Sequence, residues 1–315
     1  MRPFLLLFFL LTCYHLPAQT PQEARVGIYL MNLYDLNMDE HSFYADFYIW
    51  FKWKGEIDPT EIEFVNQVEK WSLTSAPSGD GSDSLLSDGT NYRIFRVEGR
   101  FFHSFMLNHF PLDEHDLTIQ IENPEYDANE LVYLPDTSGA AIRHSLQLVG
   151  WEMQRASLQP FENDYRTNFG NPDENACVYN QLVYTIRLAR PITYFLLKMM
   201  LPLAVVMLIS IGALILHPSY IDMRASLPIG GLLTAVFLQQ SYSDALPDTG
   251  YMVLMDKIYL LAYTLISLVL LRVIRSGNLL VGAGAAPVEK IIRRERRLAV
   301  VFLLGFFLGV LILCL

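Results

Sequence analysis

Between two long apolar runs lies HPSYIDMRASLPIGGLLTAVFLQQSYSDALPDTGY, residues His217 to Tyr251, and this stretch constrains the chain more than any other. A bilayer span needs roughly 20 predominantly apolar residues. The flanking runs meet that need, so by context the stretch between them belongs to the membrane as well. Ser226, Thr234, Gln239, Gln240, Ser241 and Ser243 make it a poor lipid-facing helix, because polar groups at that depth face protein or a water-filled path. At steps of four and three from Asp222, one helical face reads Asp222, Ser226, Gly230, Leu233, Phe237, Gln240 and Asp244. Repeated around an axis, such a face gives acidic mouths and an apolar constriction that closes by dewetting. A buried bundle helix with incidental polar residues has the same periodicity, and periodicity alone leaves both open.

The rest of the chain divides around this segment. Its 315 residues leave room for about two domains. Residues 19–190 are mixed, aromatic and acidic, and residues 191–315 are dominated by apolar runs. A formal net charge of -10 argues against a nucleic-acid partner, which favours a basic patch. Residues 1–18, MRPFLLLFFLLTCYHLPA, have an early arginine, an apolar core and small residues at the end. That is the pattern of a secretory signal peptide, and the run is short for a first transmembrane helix. Cys13 has a faint likeness to a lipoprotein acceptor. Cys13, Cys177 and Cys314 fall in the leader, a loop and the last apolar run, so no disulfide framework follows.

The exported half reads as strands. In Ser42–Trp53, Phe43, Ala45, Phe47, Ile49, Phe51 and Trp53 share one face, and Ser42, Tyr44, Asp46, Tyr48, Trp50 and Lys52 the other. Period-two alternation of this length predicts a half-buried strand. The aromatics on the second face suit an interface or ligand site, or ordinary cross-strand pairing. Further strands are expected at Tyr92–Arg100, Phe101–Leu107, Leu117–Glu122, Leu131–Leu134, Gln147–Gln159 and Val178–Leu188. Many short strands broken by turns predict an antiparallel β-sandwich. The aspartates of Ser75–Thr90 lack calcium-loop spacing, and His103, His109 and His115 are divided by a Phe110-Pro111 turn, against a convergent metal site. No nucleophile elbow, phosphate-binding loop or zincin motif occurs. The reading is a non-enzyme without cofactor or metal.

In the membrane half, helices are expected at about 192–216, 222–245, 252–274 and 296–315, with Lys198 and Asp256–Lys257 snorkelling from segment ends. Arg275, Lys290, Arg293, Arg294, Arg296 and Arg297 place the third-to-fourth linker in the cytoplasm, by the positive-inside rule. Arg224 agrees. The sandwich, the Asp244–Asp248 turn and the C-terminus then lie on the extracellular or periplasmic side of a plasma (inner) membrane.

Several motifs carry a family resemblance. His109-Phe110-Pro111-Leu112-Asp113-Glu114-His115 is similar to the Phe-Pro-x-Asp signature loop of the pentameric ligand-gated ion channels, the Cys-loop receptor superfamily. His103 and Leu117 stand where animal members carry bridging cysteines, as in bacterial-type members. Arg190 and Pro202 resemble the arginine before the first helix and the proline within it, and Leu246-Pro247 the turn after the pore helix. The resemblance implies a homopentamer around a central pore, embedded in lipid, and rings of Asp222 and Asp244 at its mouths then predict conduction of monovalent cations. Its opener would be a small amine-like molecule or protons at extracellular subunit interfaces. The seven-residue face from Asp222 to Asp244 then lines the pore, and Arg224, about 200° round the helix from Asp222, points away. Tyr48 and Tyr179 match ligand-site aromatics, and Tyr165 and Phe169 lie in the capping loop. Pro124-Glu125-Tyr126 replaces the usual tryptophan, so Glu125 is expected to pair with a primary amine or titrate. Phe110, Pro111, Asp113, Arg190 and Pro247 would couple the halves, with an Asp113–Arg190 ion pair and Asp39 or Glu40 nearby. Pro228 with Gly230-Gly231 predicts a kink in the pore helix. A membrane-anchored receptor without a conducting pore is the alternative.

Overall fold

The structure is a computed structural model that describes residues 20–69, 74–77, 84–136, 142–170, 178–244, 246–282 and 288–315. The leader, Cys177 and the middle of the acidic loop lie outside the described residues. The N-terminal half is a β-sandwich. One sheet contains β1 (Gln22–Asn37), β2 (Ser42–Trp53), β4 (Thr74–Pro77), β5 (Ser84–Leu85), β6 (Asn91–Phe102) and β8 (Leu131–Pro135), in the order β4-β6-β2-β1-β8 with β5 also on β6. The other runs β3-β7-β10-β9, from Glu63–Phe64, Glu114–Glu122, Val178–Ala189 and Glu152–Asp164.

The alternation in β2 decides how the first sheet faces the core. Phe43, Ala45, Phe47, Ile49 and Phe51 are fully buried, while the intervening Tyr44, Tyr48, Trp50 and Lys52 are half-buried. Two expectations change. β6 is one strand rather than two, because it pairs with β2 all the way from Ser42↔Phe102 to Trp53↔Asn91 and leaves no place for a break. The sandwich is also not purely antiparallel, since β8 pairs parallel to β1. β9 begins at Glu152, after Gly150 turns the chain with φ 83°.

Four helices follow: α1 (Ile192–Gly212), α2 (Ile221–Ser243), α3 (Leu254–Gly282) and α4 (Val288–Cys314), each long and apolar enough to cross a membrane. α3 and α4 run beyond their expected cytoplasmic limits. Arg275 and the Lys290–Arg297 run are helical, in keeping with the good helix propensity of arginine, lysine and glutamate. In α1, residues Phe195–Met200 adopt a wider π-type turn just ahead of Pro202, where a missing N–H disturbs the hydrogen-bond ladder. α2 continues as one helix through Pro228. Its Gly231 has a packing reason, since a Cβ there would sit 2.0 Å from Ser210 Oγ of α1. Asp256 does not snorkel; it accepts hydrogen bonds from Tyr242 Oη and from the Val253 N–H at 3.0 Å.

Two apolar cores meet at the junction of the halves. Leu107 and Phe110 of the β6–β7 connection belong to the core of the helices, and Met38 of the β1–β2 turn packs against both cores.

Candidate functional site

The second helix presents two unlike faces. Arg224, Pro228, Gly231, Ala235 and Tyr242 are buried against the chain's own helices. Asp222, Ser226, Gly230, Leu233, Phe237, Gln240 and Asp244 are all exposed in the isolated chain. Leu233 and Phe237 are 58% and 66% exposed, a large apolar area in the middle of a face whose two ends are carboxylates. Such a surface has no partner within one chain. Gln240 donates to Asp244 at 2.6 Å, and the Ser226 and Thr234 hydroxyls donate to carbonyls of their own helix.

Where the sandwich meets the helices, Asp113 is 2% exposed and takes a partner on each oxygen. Arg190 Nε donates to Oδ1 at 2.8 Å, and His115 Nε2 lies 2.8 Å from Oδ2. The Arg190 guanidinium stacks over Trp151 at 4.2 Å and Phe110 at 4.9 Å, which suits a cation removed from water. Asp39 and Glu40 are not members of this cluster. Glu40 pairs with Arg100 at 2.6 Å, since the β1–β2 turn directs it to β6 of its own sheet, and Asp39 shows only a backbone hydrogen bond to Asn37. From that turn it is Met38 that reaches Arg190, Sδ to Nη2 at 3.5 Å. Phe110, at the Phe110-Pro111 turn, stacks on Tyr242 of α2 at 6.3 Å, and Tyr242 on Tyr259 of α3 at 5.4 Å. Leu107 N–H donates to Tyr251 Oη at 3.0 Å, and Leu246 and half-buried Pro247 lie in the same connection. A continuous path of contacts thus leads from Asp113 to α2.

Beside Asp113, His103 packs edge-on to His115 at 5.6 Å and to Phe105 at 4.8 Å. Burial first, and then the neighbouring His115, push its pKa down to about 4, and its Nε2 is buried without a hydrogen-bond partner among the described residues. Among the described residues no group of His, Cys, Asp and Glu side chains has the arrangement of a metal site.

Higher on the sandwich, Tyr165 contacts Phe169 at 5.3 Å and Tyr179 at 5.9 Å. Beneath them lies Glu122, 2% exposed, which accepts from Tyr165 Oη at 3.0 Å and from Asn163 and Gln181 at 3.3 Å. Burial, reinforced by this carboxylate, pushes Tyr165 up to about 12. Glu125 is exposed and Tyr126 packs half-buried on the sandwich core, so the acid under the aromatic group is Glu122 rather than Glu125. Tyr48 lies on the other sheet, with the Arg96 guanidinium 5.9 Å from its ring centre and held there by Asp46 at 2.9 Å. Burial opposes ionisation of Asp46, but hydrogen bonds from Arg96 and Asn32 hold its carboxyl below the ordinary range.

With this geometry in view, comparison with known proteins is informative. No family model matches the chain. A proton-gated ion channel of Gloeobacter violaceus is 23% identical over 306 residues, covering 91% of this chain and 82% of that protein. The acetylcholine receptor subunit alpha-type des-2 of Caenorhabditis elegans is 25% identical over 183 residues, 55% of this chain and 32% of the relative. A gamma-aminobutyric acid receptor subunit pi of Bos taurus is 20% identical over 199 residues, 62% and 43% respectively. The chain is therefore similar, over most of its length, to pentameric ligand-gated ion channels of the Cys-loop superfamily. It is a membrane protein with four apolar helices after an extracellular N-terminal β-sandwich.

Three groups escaped the sequence reading. Glu122 looked like one more strand acid. Trp151 stood outside any motif. Glu295 is the lone acid in the run RRERR, a signal available in the sequence, and it meets Arg224 in the structure.

Proposed function

We propose that the protein is a homopentameric, cation-conducting channel opened from its extracellular domain. The observation that carries this is the face of α2, where Asp222, Ser226, Gly230, Leu233, Phe237, Gln240 and Asp244 are all exposed while the opposite face is packed. Five copies around an axis turn that face toward a common lumen. They create acidic rings at both mouths, which concentrate cations, and apolar rings of Leu233 and Phe237 that exclude water when narrow.

Protons are the favoured opener. An amine seated on Tyr48 would compete with Arg96, already over that ring, so the aromatic group suits a cationic ligand poorly. The Asp113–Arg190–His115 cluster, in contrast, adjoins Phe110, which stacks on Tyr242 of α2. The relative that covers 91% of this chain is described as proton-gated. An amine-like ligand held at a subunit interface by Tyr165, Phe169, Tyr179 and a neighbour's Tyr48 is the second reading, favoured by the close approach of the first three rings.

The test is current through bilayers containing the purified chain under a salt gradient, at pH 7.5 and after acidification on the sandwich side, then with small amines. Acid-evoked current reversing near the cation potential is expected. Reversal at the chloride potential would overturn the selectivity, and current evoked by amines but not by acid would overturn the proton. Absence of current under every condition would return the chain to an anchored receptor.

A further inference from the structure

We infer that Glu295, on the last helix, governs ion selectivity at the inner mouth by holding the Arg224 guanidinium out of it; the inference rests on the channel reading above. Arg224 follows Asp222 by two residues and is fully buried, as is Glu295. Its Nη2 donates to Glu295 Oε2 at 2.7 Å, its Nη1 to Ser276 Oγ at 3.2 Å and its Nε to the Ala213 carbonyl at 2.8 Å. The residue that follows α1, together with α3 and α4, therefore supplies partners to one side chain of α2. Arg272 adds a second guanidinium, with Nε 3.8 Å from Glu295 Oε1, and neither of these two atoms has a hydrogen bond among the described residues.

One carboxylate thus balances two cations in a dry site, flanked in sequence by Arg293, Arg294, Arg296 and Arg297. A buried cation is tolerated when it is paired and hydrogen-bonded. Without Glu295, Arg224 has like charge behind it and water in front. A long side chain so placed extends toward solvent, and Asp222, two residues before it and exposed, is the acidic group at the mouth it then meets. Five guanidiniums there would cancel five carboxylates. Glu295 is therefore a positioning residue for permeation, acting through Arg224, although it never meets the ion.

The experiment compares permeability ratios of the full-length protein in bilayers for wild type, Glu295→Gln, and Glu295→Gln combined with Arg224→Gln. Glu295→Gln is expected to lower the cation-to-anion permeability ratio by about ten-fold, the lower end of what focused fields do to local ion concentration. The double variant is expected to recover the wild-type ratio, and Glu295→Asp to lie between. The ratio does not depend on how much protein folds, so a merely structural role leaves it unmoved. A wild-type ratio in Glu295→Gln overturns the inference, as does a double variant that keeps the defect. Where Glu295→Gln yields no pentamer, the double variant decides alone, with a wild-type ratio expected and a shift toward chloride overturning. Failure of the wild-type protein itself to conduct would instead overturn the channel reading.

Discussion

Asp113 is buried with a partner on each oxygen, so a change at either partner leaves a carboxylate short of what holds it. Its oxygens are divided between Arg190 and His115, and it is 2% exposed. Removing one partner of a buried pair costs about 3–5 kcal/mol. Shifting a two-state channel from 1:99 to 99:1 takes about 5.5 kcal/mol, roughly 1 per subunit if five share it. Arg190→Ala should therefore displace the half-activating stimulus by at least ten-fold while leaving single-channel conductance unchanged, and an assembled variant with wild-type activation would refute the coupling role. Arg190→Lys should rescue only in part, because lysine lacks the planar stack on Trp151 and Phe110. His103 makes a separate prediction. Its folded pKa, about 4, lies below the ordinary value near 6.5, so between these values the unfolded chain binds the proton more readily. Stability should fall as pH drops from about 6.5 to about 4, with nothing more lost from this group below that. Thermal melting across that range should show the decline, and His103→Phe should flatten it.

At the scale of elements, α2 shows how a helix serves two surfaces. Its inner face is closed by Pro228, Gly231 and Ala235, small or compact residues that let it lie against α1 and α3. Its outer face is left to function. If Leu233 and Phe237 form the dry constriction, Leu233→Ser with Phe237→Ser should wet it and produce resting current without any stimulus. An unchanged resting current would move the gate elsewhere. Asp222→Asn should reduce cation preference at the inner mouth, read as a reversal potential moving toward that of chloride. The β6–β7 connection plays the complementary part, placing Phe110 on Tyr242 near the end of the same helix.

At the scale of the whole molecule, the proposed pentamer accounts for two exposed features. Phe237 and Leu233 stand out from α2, and the aromatics proposed for the ligand site are divided between Tyr48 on one sheet and Tyr165, Phe169 and Tyr179 on the other side of the sandwich. On that proposal neighbouring subunits complete both. The native mass of the detergent-solubilised protein should equal five protomers plus bound detergent; a monomer or dimer stable across several detergents would remove the central pore.

What the sequence determined by itself is what periodicity and composition can encode. Alternation in Ser42–Trp53 chose the buried face of β2, and the polar residues between Asp222 and Asp244 separated α2 from its lipid-facing neighbours. The Phe110-Pro111 loop with Asp113 was legible because its residue types lie consecutively. The tertiary structure decided which distant groups meet. Arg224 and Glu295 are 71 residues apart, and Asp113 and Arg190 are 77 apart. A resemblance proposed the second pair; nothing local proposed the first. Nor could local pattern give Asp113 to His115, bring Met38 rather than Asp39 or Glu40 to Arg190, or put Glu122 under Tyr165 in place of Glu125. A period states which way a side chain points along its own element. The partner it finds depends on how elements cross, and buried charges accept only the partner that the crossing delivers.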